Sequence, residues 1–276
     1  MAVENKESTA LAFLYKTTLG RFILKPISSP FVSKICGKFL DSRLSKMLIP
    51  SFVKNNNIDL SDYECEKFNC FNDCFCRKIK DGKRTVDPDK SALISPCDGL
   101  LSAYKINDKT VLPVKQSRYT IQSLLENDVL AEKYRNGICL VFRLCVHHYH
   151  RYSYPADGTK EKNVFIKGKL HTVRPIALEA LPVFTENSRE YTVIKTDKFG
   201  EILQMEVGAL LVGKIHNHTV CEAPVKKGDE KGMFLYGGST VILLLQKDMN
   251  IKQELFDATQ QGIETPVLMG QRLNTL

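Results

Sequence analysis

Residues 137–146 read Gly137-Ile138-Cys139-Leu140-Val141-Phe142-Arg143-Leu144-Cys145-Val146, an apolar run with β-branched and aromatic side chains at strand length. It ends in a dense polar cluster, His147-His148-Tyr149-His150. Outward from this stretch the same texture repeats. Short β-rich runs cover Leu100 to Ile106, Val164 to Val173, Tyr191 to Thr196, Ile202 to Ile215, Met233 to Tyr236 and Val241 to Gln246, with turn residues between them. Ile121 to Tyr134 is the one clear helical pattern among them. The chain from Leu93 onward is therefore expected to be β-dominated.

Toward the N-terminus the pattern changes to helix. Phe31 to Leu48 places Val32, Ile35, Cys36, Phe39, Leu40, Leu44, Met47 and Leu48 largely on one face, and Pro50 is expected to close the helix. Residues 1–54 hold nine Lys/Arg against three acids, which puts six of the net +8 charges in this end. A basic amphipathic helix suits an acidic partner surface, membrane or nucleic acid, or packs on its own domain with solvated lysines. The polar, cysteine-rich stretch 55–90 holds the main boundary, so the expected fold is α+β, with a helical basic region and connector over 1–85 and a β-rich domain over 86–276. At 43% hydrophobic and 25% charged, the 276 residues are not a disordered chain, and no apolar run is long enough to span a bilayer. Nine cysteines without an export signal make reduced thiols in a cytosolic setting the default.

Five groups of residues could carry chemistry. Cys65, Cys70, Cys74 and Cys76 are close together but lack paired C-x-x-C spacing, so ordinary thiols are favoured over a zinc site. His216 and His218 would share one face of a strand, half of a metal site or a polar surface pair. The 147–150 cluster, at a strand end, suits acid–base work or a solvated loop. Ser95-Pro96-Cys97-Asp98-Gly99 is a turn whose Asp98 could cap it or orient a histidine. Gly237-Gly238-Ser239-Thr240 is either a glycine turn entering a strand or a Gly–Ser bond whose carbonyl is open to the neighbouring hydroxyl.

Taken in order, these segments resemble the phosphatidylserine decarboxylase family. Gly238-Ser239-Thr240 matches its self-processing Gly-Ser-Thr, and Ser95-Pro96-Cys97-Asp98-Gly99 matches its Ser-Pro-x-Asp-Gly. Tyr149-His150-Arg151 with Pro155 and Asp157-Gly158 matches its central motif. Phe71-Asn72-Asp73-Cys74-Phe75-Cys76-Arg77 is similar to its Phe-Asn-x-Phe-Phe-x-Arg, and Val207-Gly208-Ala209 with Val212-Gly213 also fits. The resemblance covers residues 71–240, and no dinucleotide fingerprint or P-loop competes with it. Two positions depart from the family's Asp-Tyr-His-Arg-x-His: His148 stands at its aspartate and Ser153 at its second histidine.

The resemblance implies that a histidine held by Asp98 activates Ser239, that the chain is cleaved between Gly238 and Ser239, and that a pyruvoyl group remains on residue 239. It implies decarboxylation of phosphatidylserine to phosphatidylethanolamine through a Schiff base to that group, with His150 as proton donor and with no metal and no nucleic acid. His147, His148 and His171 are the substitutes for the missing histidine, with Ser153 as the altered position. The 86–276 region becomes the decarboxylase domain, its α and β fragments staying together, and the basic helices dock it peripherally on the cytoplasmic face of an anionic membrane. A homodimer is compatible with this. Two other readings stand beside it: a zinc hydrolase on a β-rich barrel using His216, His218 and one of His147, His148 or His150, and a non-catalytic domain binding anionic lipid.

Overall fold

The computed structural model describes residues 9–64, 67–107, 112–114, 117–209, 214–235 and 239–275. Cys65, Gly213, Gly237 and Gly238 lie outside these described residues. The fold is α+β. The N-terminal part is a string of short helices: α1 (Thr9–Lys16), α2 (Thr18–Ile27), α3 (Pro30–Leu40), a 3-10 turn (Arg43–Leu48), α4 (Ile49–Asn55) and α5 (Phe71–Phe75). The Thr17 side chain caps α2 by accepting from Gly20 N–H. Gly20 has no substitute, because a Cβ there would sit 2.0 Å from the Phe13 carbonyl oxygen of α1. The single helix expected to Leu48 ends instead at Leu40, and Pro50 opens α4 rather than closing a helix. Proline lacks only an N–H that a first turn leaves unpaired anyway.

The strands follow as β1 (Gly99–Lys105), β2 (Leu112–Val114), β3 (Ser117–Tyr119), β4 (Ile138–Leu144), β5 (Arg151–Ser153), β6 (Gly158–Lys160), β7 (Val164–Ile166), β8 (Arg189–Thr196), β9 (Gly200–Val207), β10 (Lys214–Asn217), β11 (Ala223–Val225), β12 (Glu230–Leu235), β13 (Ser239–Leu245) and β14 (Thr265–Val267). Among the described residues one antiparallel sheet runs β11-β6-β8-β9-β13-β4-β1-β14, with β7 also on β8, and a smaller one runs β10-β12-β5. The run from Ile202 to Ile215 thus splits between two sheets. The helix expected over Ile121 to Tyr134 is two, α6 (Ile121–Leu125) and α7 (Asp128–Glu132), broken at Glu126 with φ 50°. Three short helices, α8 (Pro175–Ala180), α9 (Val183–Glu186) and α10 (Gln253–Gln260), give too few turns for their period to stand out in the sequence.

The opening stretch 138–144 is β4, buried at every residue and paired with β1 on one side and β13 on the other. Strand β13, equally buried, lies between β4 and β9. Alternation along paired strands decides what shares a face. Ser239, Val241 and Leu243 point the same way as Phe142 and Leu140 of β4 and as Glu206 and Gln204 of β9. Thr240 faces the other side with Arg143 and Val207.

The small sheet covers the Ser239 face. Lys231 of β12 reaches Glu206 with Nζ 2.5 Å from Oε2, both side chains fully buried, and Gln204 Nε2 donates to Ser153 O at 3.3 Å. Tyr152 packs on Phe234 at 4.8 Å and donates to Asn217 Oδ1. Helices cover the opposite face: Arg189, aligned with Val207, donates to the carbonyls of Leu124 and Ser123 in α6. The N-terminal helices are tied on at two places, by Tyr15 and Ser28 to residues 170–172 and by Asp41 and Ser45 to α5.

The buried Lys231–Glu206 pair yields a stability test. Lys231→Ala leaves a carboxylate buried without its cation and is expected to cost about 3–5 kcal/mol. Lys231→Met with Glu206→Leu removes both charges and should recover most of that, as read from urea midpoints.

Candidate active site

Ser239 opens β13 and is fully buried. Its hydroxyl faces His150, with Oγ 3.4 Å from Nδ1, at the long end of a hydrogen bond. His150 precedes β5, is itself fully buried, and has Nε2 3.1 Å from the Cys145 carbonyl oxygen. A carbonyl only accepts, so Nε2 must carry the proton of the neutral ring and Nδ1 must present its lone pair to Ser239. Burial, followed by the positive field of Arg77, pushes the His150 pKa well below its ordinary 6.5, which keeps the ring neutral. Serine, neutral imidazole and an orienting group behind it are the parts of an activated nucleophile.

The orienting group is not the one expected. The Asp98 carboxylate, 3% exposed, accepts from Arg84 Nε at 2.9 Å and Nη2 at 2.5 Å, and from Met269 N–H at 2.9 Å. Among the described residues it hydrogen-bonds no histidine. Ser153 lies on β5 beside this turn, its N–H donating to Pro96 O at 2.7 Å. Its hydroxyl donates to the same carbonyl at 3.3 Å, and Arg84 occupies the Asp98 carboxylate. The backbone carbonyl of Cys145 takes the orienting place.

The remaining histidines are sorted by their partners. His148 Nδ1 accepts from Cys145 N–H at 2.9 Å. Its pKa is pushed down to about 4 by burial and by His147, against the opposing field of Asp98. His147 is exposed and stands edge-on to His148 at 4.3 Å. His171 belongs elsewhere: it is buried against Tyr15, 3.4 Å from its hydroxyl, and lies 3.3 Å from Glu186. His216 lies on β10 but His218 lies just past its end, so they do not share a strand face as expected; their rings stand 5.6 Å apart, and His218 reaches Glu230 at 2.6 Å. Among the described residues no three His, Cys, Asp or Glu side chains gather as a metal site, whether at these histidines or at Cys70, Cys74 and Cys76. Cys65 and Gly238 lie outside the described residues.

Two contributors had no sequence signal of their own. Arg84 sits in a polar run, and the Cys145 carbonyl is backbone. Phe75 lies inside a quoted motif, and its ring stacks on His150 at 4.0 Å and 28°.

A family model described as phosphatidylserine decarboxylase matches residues 71–275. The chain belongs to that family. It is 45% identical over 265 residues to phosphatidylserine decarboxylase proenzyme 2 of Clostridium acetobutylicum, covering 95% of this chain and 90% of that protein. It is 41% identical to the phosphatidylserine decarboxylase proenzymes of Clostridium botulinum, over 96% of this chain and 92% of that one, and of Clostridium tetani, over 95% and 90%. The match takes in the Asp98 turn, the His150 turn and Ser239 together, so the dyad sits within the region that defines this decarboxylase family.

The neutral histidines set a pH dependence. Their folded-state pKa values lie below the ordinary 6.5, so the unfolded chain binds protons first as pH falls. Stability from this source is complete above pH 6.5 and drains away as pH drops toward about 4, the His148 value. Urea midpoints should decline across that window, and His148→Gln should flatten the decline.

Proposed function

We propose that this chain is a self-processing phosphatidylserine decarboxylase whose pyruvoyl group is made from Ser239. The observation that carries the reading is the buried Ser239 hydroxyl facing a histidine whose tautomer is fixed by the Cys145 carbonyl. His150 Nδ1 accepts the hydroxyl proton, and Oγ attacks the carbonyl carbon of Gly238. The amide rearranges to an ester, and β-elimination releases residues 1–238 with a new carboxylate. The dehydroalanine left at 239 tautomerises to an imine, and water replaces its nitrogen, which leaves as ammonia.

The site fits such a group. Residue 239 is covalently at the head of a fully buried strand, where a ketone is shielded from bulk water. A pyruvoyl group there supplies the electron sink that lets carbon dioxide leave an amino acid headgroup. His150 remains beside residue 239 as the side chain able to move a proton at that point. The fragments stay together because β13, in the 239–276 piece, pairs with β4 and β9 of the other.

The same reading places the protein peripherally on the cytoplasmic face of an anionic bilayer, held by residues 1–85 while 86–276 does the chemistry. No helix among the described residues is long and apolar enough to cross a membrane. Yet Leu19, Phe22, Phe31, Leu44 and Met47 are each 62–74% exposed on the N-terminal helices. Exposed Arg21, Lys25, Lys34, Lys38, Arg43 and Lys46 lie among them. Apolar side chains interleaved with cations match the chemistry of a bilayer bearing phosphatidylserine.

The test is incubation with mixed phosphatidylserine and phosphatidylcholine vesicles. The reading expects phosphatidylethanolamine and carbon dioxide from the wild type and neither from Ser239→Ala, which stays one chain. Activity lost to chelators with stoichiometric zinc would favour the hydrolase. An uncut, inactive wild type that still binds the vesicles would favour the lipid-binding domain. Separately, Phe22→Ser with Phe31→Ser should weaken sedimentation with these vesicles severalfold, and rising salt should weaken the wild type too.

A further inference from the structure

The segment 71–77 is built against the catalytic turn, and its two largest buried side chains have no assigned work. Phe75 is 1% exposed and its ring lies flat on the His150 imidazole, 4.0 Å between centroids. Arg77 is 2% exposed. Its guanidinium donates through one nitrogen to the carbonyls of His147 at 2.8 Å and His148 at 3.2 Å, and through another to Cys74 O at 3.3 Å. It also lies 4.2 Å over the Tyr63 ring. Among the described residues it meets no carboxylate, so a full cation is held inside the protein by backbone dipoles and an aromatic face. Such a charge is costly to bury, and a purely packing role would be served by an apolar side chain.

What Arg77 grips is the turn that delivers the base. The turn closes on itself, His148 N–H donating to Cys145 O at 2.9 Å. That same oxygen accepts from His150 Nε2. Holding the two carbonyls at 147 and 148 therefore fixes the oxygen that selects the His150 tautomer. Phe75 fixes the plane of the ring.

Building on the reading of His150 as the base for Ser239, we propose that Arg77 and Phe75 are its positioning residues. Arg77 locks the 145–148 turn, and Phe75 orients the imidazole, so that Nδ1 meets the Ser239 hydroxyl. The charged and titratable groups facing His150 are Arg77, His147 and His148, and each opposes a proton on it. The Arg77 cation thus widens the range over which the base is free.

The experiment follows the full-length chain from a pulse of cell-free synthesis into its two pieces, across pH, with folding checked by thermal unfolding. Arg77→Met should slow cleavage about tenfold or more. It should also move the acid side of the profile to higher pH, since loss of the cation lets His150 hold a proton more tightly. Phe75→Leu should slow cleavage with that limb unmoved. Wild-type rates in both, or a slowed Arg77→Met with an unshifted limb, would overturn the assignment. If Arg77→Met does not fold, Arg77→Lys decides, keeping the charge without the fork. An intermediate rate with the wild-type limb, beside a slowed Phe75→Leu, supports the proposal, and a wild-type rate ends it. A wild-type chain that never cleaves would instead defeat the processing reading, and this assignment with it.

Discussion

The hydrogen bond from His150 Nε2 to the Cys145 carbonyl is the constraint on which the chemistry depends. A buried neutral imidazole can present either nitrogen as its base. One backbone oxygen settles which, because it has no proton to give. In the usual nucleophile constellation a carboxylate performs this task and also steadies the imidazolium that forms. Here the carboxylate of Asp98 is already held by Arg84 and Met269 N–H. The base is therefore oriented by a dipole and not by a charge. For the self-cleavage proposed above, an event that happens once per chain, such an arrangement need not be fast.

The fold serves this arrangement by placing Ser239 at the head of a strand buried between two others. Strand pairing fixes which face the hydroxyl is on, since a slip of one residue would turn it to the opposite side with Arg143. The small sheet then closes that face through Lys231, Glu206, Asn217 and Tyr152, a polar layer in which each charge has its partner. The helical end joins the same structure through α5, where Asp41 and Ser45 hold the segment that carries Phe75. The N-terminal helices and His150 are thus in contact through one short element.

Much of this was legible in the sequence, for physical reasons. Runs such as 138–144 and 241–245 are apolar at strand length and became central strands. Ser239 and His150, quoted from separate motifs, meet across the sheet. The rest escaped because it is carried by groups that sequence pattern does not mark. A backbone carbonyl replaced the expected carboxylate, and Arg84 sits in an unremarkable polar run. His171, a substitute by residue type, is committed to Tyr15 and Glu186. The helix boundaries near Pro50 and Glu126 turned on local backbone preference, a first-turn proline and a left-handed residue, which periodicity does not register.

Denaturing intact-mass spectrometry of the freshly purified wild-type chain tests the central claim most directly. The account predicts two polypeptides divided between residues 238 and 239. The smaller one should be lighter by one ammonia than a peptide of residues 239–276 beginning with serine. A single chain at the full 31.2 kDa would contradict it, because a buried serine facing a neutral, oriented histidine would then have done nothing.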